Sequence, residues 1–237
     1  MTLSLLPRER SEIAPGAVHV PDWLDVDEQG EIVDQWRRWS TGAVPMRATR
    51  LPGGGVMSVE TVCLVWQWLP YRYVPTAEDW GGRPGVEFSD WLVAMGQRAV
   101  KAAYGDRVAA AAYRPDVALA NWYGDGARMG MHQDKDERSL GPIVSLSIGD
   151  NCVFRFGNTE HRNRPYTDVE LCSGDLFVFG GPSRLAFHGV TKVLAGTADP
   201  ATGLTSGRLN LTMRETGLER ETAPGRGRSG TDPEQRR

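Results

Sequence analysis

The chain has 237 residues, enough for one catalytic-sized core, and its 27 Lys and Arg against 30 Asp and Glu leave a net charge of −3. That balance, with a pI near 5.9, excludes the broad basic surface of a protein that coats nucleic acid, while leaving room for a local basic groove. Three cysteines without CxxC spacing (Cys63, Cys152 and Cys172) suggest neither a disulfide framework nor a structural zinc site and fit a reducing cytoplasm.

The opening MTLSLLPRERSEIAPG has too short an apolar run for a signal peptide, with its basic residues after that run. No stretch approaches the roughly 20 apolar residues of a membrane span. Residues 1–13 are read as a tail and 14–218 as a single domain. In PDWLDVDEQGEIVDQWRRW, residues Leu24, Ile32, Val33, Trp36 and Trp39 recur at mostly helical spacing and predict a helix over 27–39. LPGGGVMS lacks the Gly-Lys-Ser/Thr ending of a phosphate loop and reads as a flexible surface hairpin. VWQWLPYRYVP then brings Trp66, Trp68, Tyr71 and Tyr73 close together. A second helix is predicted from Ser89, as N-cap, to Ala103, with Trp91, Leu92, Met95 and Val100 inward.

After Pro115 the chain turns to short β-rich runs, DVALANWY, IVSLSI, CVFRF, VEL, LFVFG and RLNLTMR, separated by Gly-Asp, Ser-Gly-Asp and Gly-Gly-Pro. AGTADPATGLTSG reads as a mobile loop, and 219–237 as a disordered tail, polar and rich in Gly, Pro and charge. The expected fold is mainly β with flanking helices (α+β), a sandwich or jelly-roll core over 115–217 with the two helices against one side.

MHQDKDE concentrates the chemistry. His132 and Asp134, two residues apart on a strand, face one side, and His188 lies several strands further on. Two imidazoles and one carboxylate suit a non-haem iron with open positions, although His-x-Asp alone is a frequent chance match and a zinc hydrolase uses the same ligands. His19 and His161 lack the carboxylate at that offset and read as structural or surface residues. In RLNLTMR, Leu209, Leu211 and Met213 form one face and Arg208, Asn210, Thr212 and Arg214 the other. Arg208 and Arg214 stand roughly 20 Å apart along an ideal strand at about 3.3 Å per residue, so their side chains leaning inward could grip a short dicarboxylate at both ends. Asn121 and Tyr123 share a face just upstream and can donate to carboxylate oxygens.

NWYGDGARMGMHQDKDE, PIVSLSIGDNCVFRFG, SGDLFVFGGPSRLAFHGV and RLNLTMRETG together resemble the AlkB family of iron(II)- and 2-oxoglutarate-dependent dioxygenases, closely from about Leu119 to Gly217 and more loosely back to Ala14. The resemblance implies a double-stranded β-helix (jelly roll) with a nucleotide-recognition lid over about 50–90. It implies that His132, Asp134 and His188 bind iron(II) and that Asn121, Tyr123, Arg208 and Arg214 hold 2-oxoglutarate, with Asn210 and Leu119 lining its pocket. Asp136 would recognise the exocyclic amine of a damaged base, Lys135 would meet a phosphate, and Glu137 would support the loop. A base must leave the stack to be worked on; Trp68 would stack on it opposite His132, with Tyr71 near the backbone and Arg162 near base and backbone. The implied reaction is O2-dependent demethylation of 1-methyladenine or 3-methylcytosine in DNA, single strands preferred, by a cytoplasmic monomer. The alternatives are an RNA, tRNA or protein oxygenase of the same superfamily and a non-catalytic jelly-roll binding module.

Overall fold

A capping box starts the first helix. Asp25 accepts from the Glu28 backbone N–H (2.8 Å) while the Glu28 carboxylate accepts from that of Asp25 (3.2 Å). The computed structural model describes residues 7–219. From that cap α1 (Val26–Ser40) buries Ile32, Val33 and Trp39. The second helix, α2 (Asp90–Tyr104), buries Leu92, Met95 and Val100 and stops at Gly105, whose φ of 71° is the left-handed conformation that ends helices. A short α3 (Arg107–Ala112), capped by Asp106, follows and was not expected. Among the described residues no helix is long and apolar enough to cross a membrane.

The strands are β1 (Ser11–Ala14), β2 (Ala17–Val20), β3 (Arg47–Arg50), β4 (Val56–Leu64), β5 (Gln67–Leu69), β6 (Arg72–Val74), β7 (Thr76–Ala77) and β8 (Arg83–Pro84). They continue with β9 (Val117–Tyr123), β10 (Met129–His132), β11 (Ile143–Gly149), β12 (Asn151–Gly157), β13 (Tyr166–Leu171), β14 (Leu176–Phe179), β15 (His188–Leu194) and β16 (Arg208–Arg214). Eight form a major sheet in the order β1-β2-β14-β11-β16-β9-β4-β3, and β10-β15-β12-β13 form a minor one. The six β-rich runs expected after Pro115 are all strands. The result is a jelly roll, mainly β with flanking helices.

Burial follows the alternation. Leu209, Leu211 and Met213 of β16 join Val62, Leu64, Val144 and Leu146 against Ile32, Val33, Leu92 and Met95 of the helices, each full burial contributing about 1.5–3 kcal/mol. The opposite face of β16 looks into the space between the sheets, so all seven of its residues are buried.

Four expectations need correction. The fold begins before residue 14: Arg8 donates to both oxygens of buried Asp175 (2.7 Å each) and β1 starts at Ser11, because a sheet edge and a buried carboxylate are there to receive this segment. The stretch 50–90 is not all lid, since β4 pairs with β9 from Glu60 to Leu64 as an inner strand of the major sheet and only β5 to β8 stand apart; the core therefore extends beyond 115–217. Within 195–207 the chain is packed: Thr202 and Leu204 are buried, and Asp150 accepts from the N–H groups of Thr197, Ala198 and Gly207 at 2.7–2.9 Å. The glycine-rich turn at 51–55 is the expected exposed hairpin, between β3 and β4. The tail assigned to 219–237 lies, beyond Glu219, outside the described residues, as do residues 1–6.

His19 has a structural role, its Nε2 donating to Asp175 at 2.8 Å, and the backbone N–H groups of Asp22 and Cys172 donate to the same carboxylate. Burial opposes ionisation of Asp175, but His19, Arg8 and these N–H groups hold its pKa below the ordinary carboxylate value. Its contribution to stability is therefore full above the ordinary value and lost as pH falls through the lowered one. Asp175→Ala is expected to cost about 3 kcal/mol at pH 7, the deficit narrowing below about pH 4, as read by urea denaturation across pH.

Candidate active site

Strands β10 and β15 are antiparallel neighbours, and their register sets His132 directly opposite His188. Each ring Nδ1 meets a backbone carbonyl two residues upstream, of Gly130 at 2.9 Å and of Ala186 at 3.0 Å. A carbonyl only accepts, so Nδ1 carries a proton in each ring and Nε2 is the nitrogen turned toward Asp134. Both Nε2 atoms lie 3.6 Å from a carboxylate oxygen of Asp134, and one ligand atom from each of the three residues falls within 4.8 Å of the others.

The charges prepare this cluster for a cation. Burial works against ionisation of Asp134, yet Arg214, His188, His132 and Arg184 hold its carboxyl well below the usual range. Arg214 Nη2 donates to Asp134 Oδ2 at 2.7 Å. Burial, then the nearby His132, pushes His188 down to about 4, so it is neutral at pH 7 and able to ligate.

Beside the triad lies a small cavity of about 40 Å³ between the sheets, walled by Asn121, Tyr123, Ser145, Arg208, Asn210, Thr212 and Arg214 and by apolar Met129, Ile143, Phe154 and Phe179. Arg208 is 1% exposed. Its guanidinium carbon sits 5.0 Å from the Tyr123 ring centroid, and Nη2 donates to Ser147 Oγ at 3.0 Å. Its Nε and Nη1, with Nε of Arg214, are buried without a partner. Buried donors left unpaired cost about 1–3 kcal/mol each, so guanidiniums of this kind await an anionic acceptor. The Tyr123 phenol, pushed up to about 12 by burial, stays protonated. Thr61 Oγ1 donates to Asn121 Oδ1 (2.8 Å), and Asn210 Nδ2 donates to Ser145 Oγ (2.8 Å) and the Leu146 carbonyl (3.0 Å). Leu119 is the exception among the expected cavity residues: it packs with Cys63, Trp66 and Tyr73 beneath the β5–β6 hairpin.

Trp68 and Tyr73 are cross-strand partners in that hairpin. Trp68 Nε1 donates to Asp136 Oδ2, and the Tyr73 hydroxyl to Glu137 Oε1, both at 2.8 Å, so the acids after the triad's Asp134 hold the aromatic hairpin. Tyr71 is 70% exposed at the hairpin turn, with φ 71°. Lys135 and Arg162 are exposed, the Arg162 guanidinium 5.9 Å from the Phe187 ring centroid. His161 is exposed and lies against Asn158. Two residues beyond the sequence reading bear on the site. Gln133 donates to the carbonyls of Thr159 (3.0 Å) and Leu185 (2.7 Å), and buried Arg184 contacts both Asp134 and Glu137; its only signal was a lone arginine in the apolar run before His188.

His188→Ala or Asp134→Ala is expected to lower Co(II) affinity by more than the roughly 10- to 100-fold that loss of a ligand's outer partner costs, as measured by titrating Co(II) absorption.

Comparison with known proteins agrees with this geometry. The model of the 2OG-Fe(II) oxygenase superfamily matches residues 16–214. An alpha-ketoglutarate-dependent dioxygenase AlkB homolog of Caulobacter vibrioides is 48% identical over 95 residues, 40% of this chain and 42% of the relative, so the chain spans less than half that protein's length. The alpha-ketoglutarate-dependent dioxygenase AlkB of Escherichia coli (strain K12) is 39% identical over 183 residues, 73% of this chain and 78% of the relative. The solved structure of OsALKBH1 superposes with a TM-score of 0.78 at 30% identity, over 87% of this chain and 99% of that one. With the match covering every strand but β1 and all three triad residues, the chain belongs to the 2OG-Fe(II) oxygenase superfamily and, within it, to the AlkB family.

Proposed function

We propose that this chain oxidatively demethylates N-alkylated bases, 1-methyladenine and 3-methylcytosine, in DNA. Iron(II) and 2-oxoglutarate, when bound, supply the oxidising power drawn from O2: one oxygen atom enters succinate as CO2 leaves, the other enters the N-methyl C–H bond. The hydroxymethyl group then departs as formaldehyde, the N–C electron pair staying on the base.

In this reading His132, Asp134 and His188 hold the iron. Arg208 and Arg214 receive the two carboxylates of 2-oxoglutarate, helped by Asn121, Tyr123 and Asn210, and Leu119 supports the pocket from beneath the hairpin. The unpartnered guanidinium nitrogens fit this use. Phe154, Phe179 and Ile143 keep water from the reacting methyl group. Trp68 stacks on one face of the extruded base and His132 meets the other, while Tyr71, Lys135 and Arg162 attend the backbone. A single strand is favoured because its bases need no unpairing. The chain acts as a monomer in the cytoplasm.

The observation that carries the reading is the Trp68–Asp136 hydrogen bond beside the triad. It ties a stacking surface to a carboxylate, and an aromatic face with an anion at its edge suits a methylated base that is cationic near neutral pH. Relatives named as a DNA N(6)-methyladenine demethylase (ALKBH1C, Arabidopsis thaliana) and a tRNA demethylase (abh1, Schizosaccharomyces pombe) keep nucleic acid as the substrate class and make RNA the competing substrate.

An oligodeoxynucleotide carrying one 1-methyladenine is expected to lose its methyl group, by mass, only with iron(II), 2-oxoglutarate and air, and not with His132→Ala. Faster turnover of the matched RNA would transfer the reading to RNA, and succinate without demethylation would overturn the substrate. Asp136→Ala is expected to lower kcat/KM on the cationic base about 10- to 100-fold, the cost of a hydrogen bond to a charged group, while Co(II) affinity stays within about threefold.

A further inference from the structure

Neither half of that reading uses Arg184, yet each of its nitrogens is engaged. Nε donates to the Gly141 carbonyl (2.8 Å), Nη1 to the backbone carbonyl of Asp134 (2.6 Å) and Nη2 to Glu137 Oε2 (3.0 Å). A buried guanidinium held at all three nitrogens has one orientation. Glu137, its side chain 1% exposed, turns its other oxygen to the Tyr73 hydroxyl (2.8 Å) and to Arg214 Nη1 (3.4 Å).

Asp134 is thus gripped twice, at its carboxylate by Arg214 and at its main-chain carbonyl by Arg184, and both guanidiniums end on Glu137. Two buried cations face two buried anions, so the cluster is neutral by itself.

We propose that Glu137 and Arg184 are positioning residues that set how the Asp134 carboxylate faces the two imidazoles. Through Tyr73 the same pair seats the aromatic hairpin against the metal-ligand loop. This rests on the triad being a metal site and is independent of the nucleic acid that is demethylated. A salt bridge that served only to hold the fold together would need neither the direct bond from Arg184 to the main-chain carbonyl of a ligand residue nor the link from Glu137, through Arg214, to that residue's carboxylate.

The test uses charge-conserving variants of the full chain, Arg184→Lys and Glu137→Asp, with Co(II) as the probe and no nucleic acid present. Each keeps the net charge and disturbs the fork geometry. The expected result is a Co(II) affinity about 10- to 100-fold weaker, the range seen when outer partners of metal ligands are lost, with a shifted ligand-field spectrum. A lower Tm with unchanged Co(II) affinity and spectrum would show a purely structural pair and overturn the proposal. Tyr73→Phe removes no charge but loses two hydrogen bonds, the one its hydroxyl donates to Glu137 and the one it accepts from Arg214 Nη1 (2.8 Å each), so it keeps the question open to experiment should the other two variants not fold. A smaller affinity loss with a spectral shift in the same direction supports the proposal, and a result identical to wild type overturns it. Co(II) binding by the unaltered chain that His188→Ala leaves intact would overturn the metal site itself, and the positioning role with it.

Discussion

The backbone pairing of β10 with β15 is the constraint on which the rest depends. It converts two histidines far apart in the chain into cross-strand neighbours with ring centroids 4.5 Å apart. Side chains alternate along a strand, so a slip of one residue would send one imidazole to the opposite face and dissolve the triad. Gly189 lets the two strands come this close: a Cβ there would stand 2.6 Å from the Met129 carbonyl oxygen and 2.8 Å from that of Gly130.

Around that pairing the major sheet supplies electrostatics rather than ligands. β16 contributes Arg208 and Arg214 from one face and three apolar anchors from the other, so a single strand joins the helix-packed core to the cavity. Arg214 is tied to three partners, Asp134, Tyr73 and Glu137. Burial opposes its charge, but Asp134, Tyr73 and Glu137 outweigh that and keep it protonated. Arg208, by contrast, has a single hydroxyl partner and two idle nitrogens. The two arginines therefore differ in degree: Arg214 is fixed by Asp134, Tyr73 and Glu137 and leaves only Nε unpaired, whereas Arg208 leaves both Nε and Nη1 unpaired.

Much of this was legible in the sequence because the relevant strands alternate cleanly. RLNLTMR announces two faces of opposite character, and both faces are occupied as that pattern requires. β4 was hidden because glycine turns and an aromatic run flank it, and because its inner half is buried on both faces, which erases the alternation. The loop at 195–207 has a composition typical of mobile segments, and its order comes from one distant carboxylate, Asp150, that no local pattern reveals. α3 was invisible because six residues, four of them alanine, carry too little periodicity. The contact between Arg184 and Glu137 escapes for a related reason: neighbouring residue types say nothing of an ion pair between groups 47 positions apart.

The small β5–β6 sheet shares no hydrogen-bonded ladder with either large sheet and meets the metal-ligand loop through the Trp68–Asp136 and Tyr73–Glu137 hydrogen bonds. A third bond, from Arg214 Nη1 to the Tyr73 hydroxyl, ties it to β16, while Tyr71 and Arg72 at its tip are exposed. Such an attachment separates two jobs: the hairpin's exposed turn can be altered without touching the residues that hold the Asp134 loop against His132 and His188.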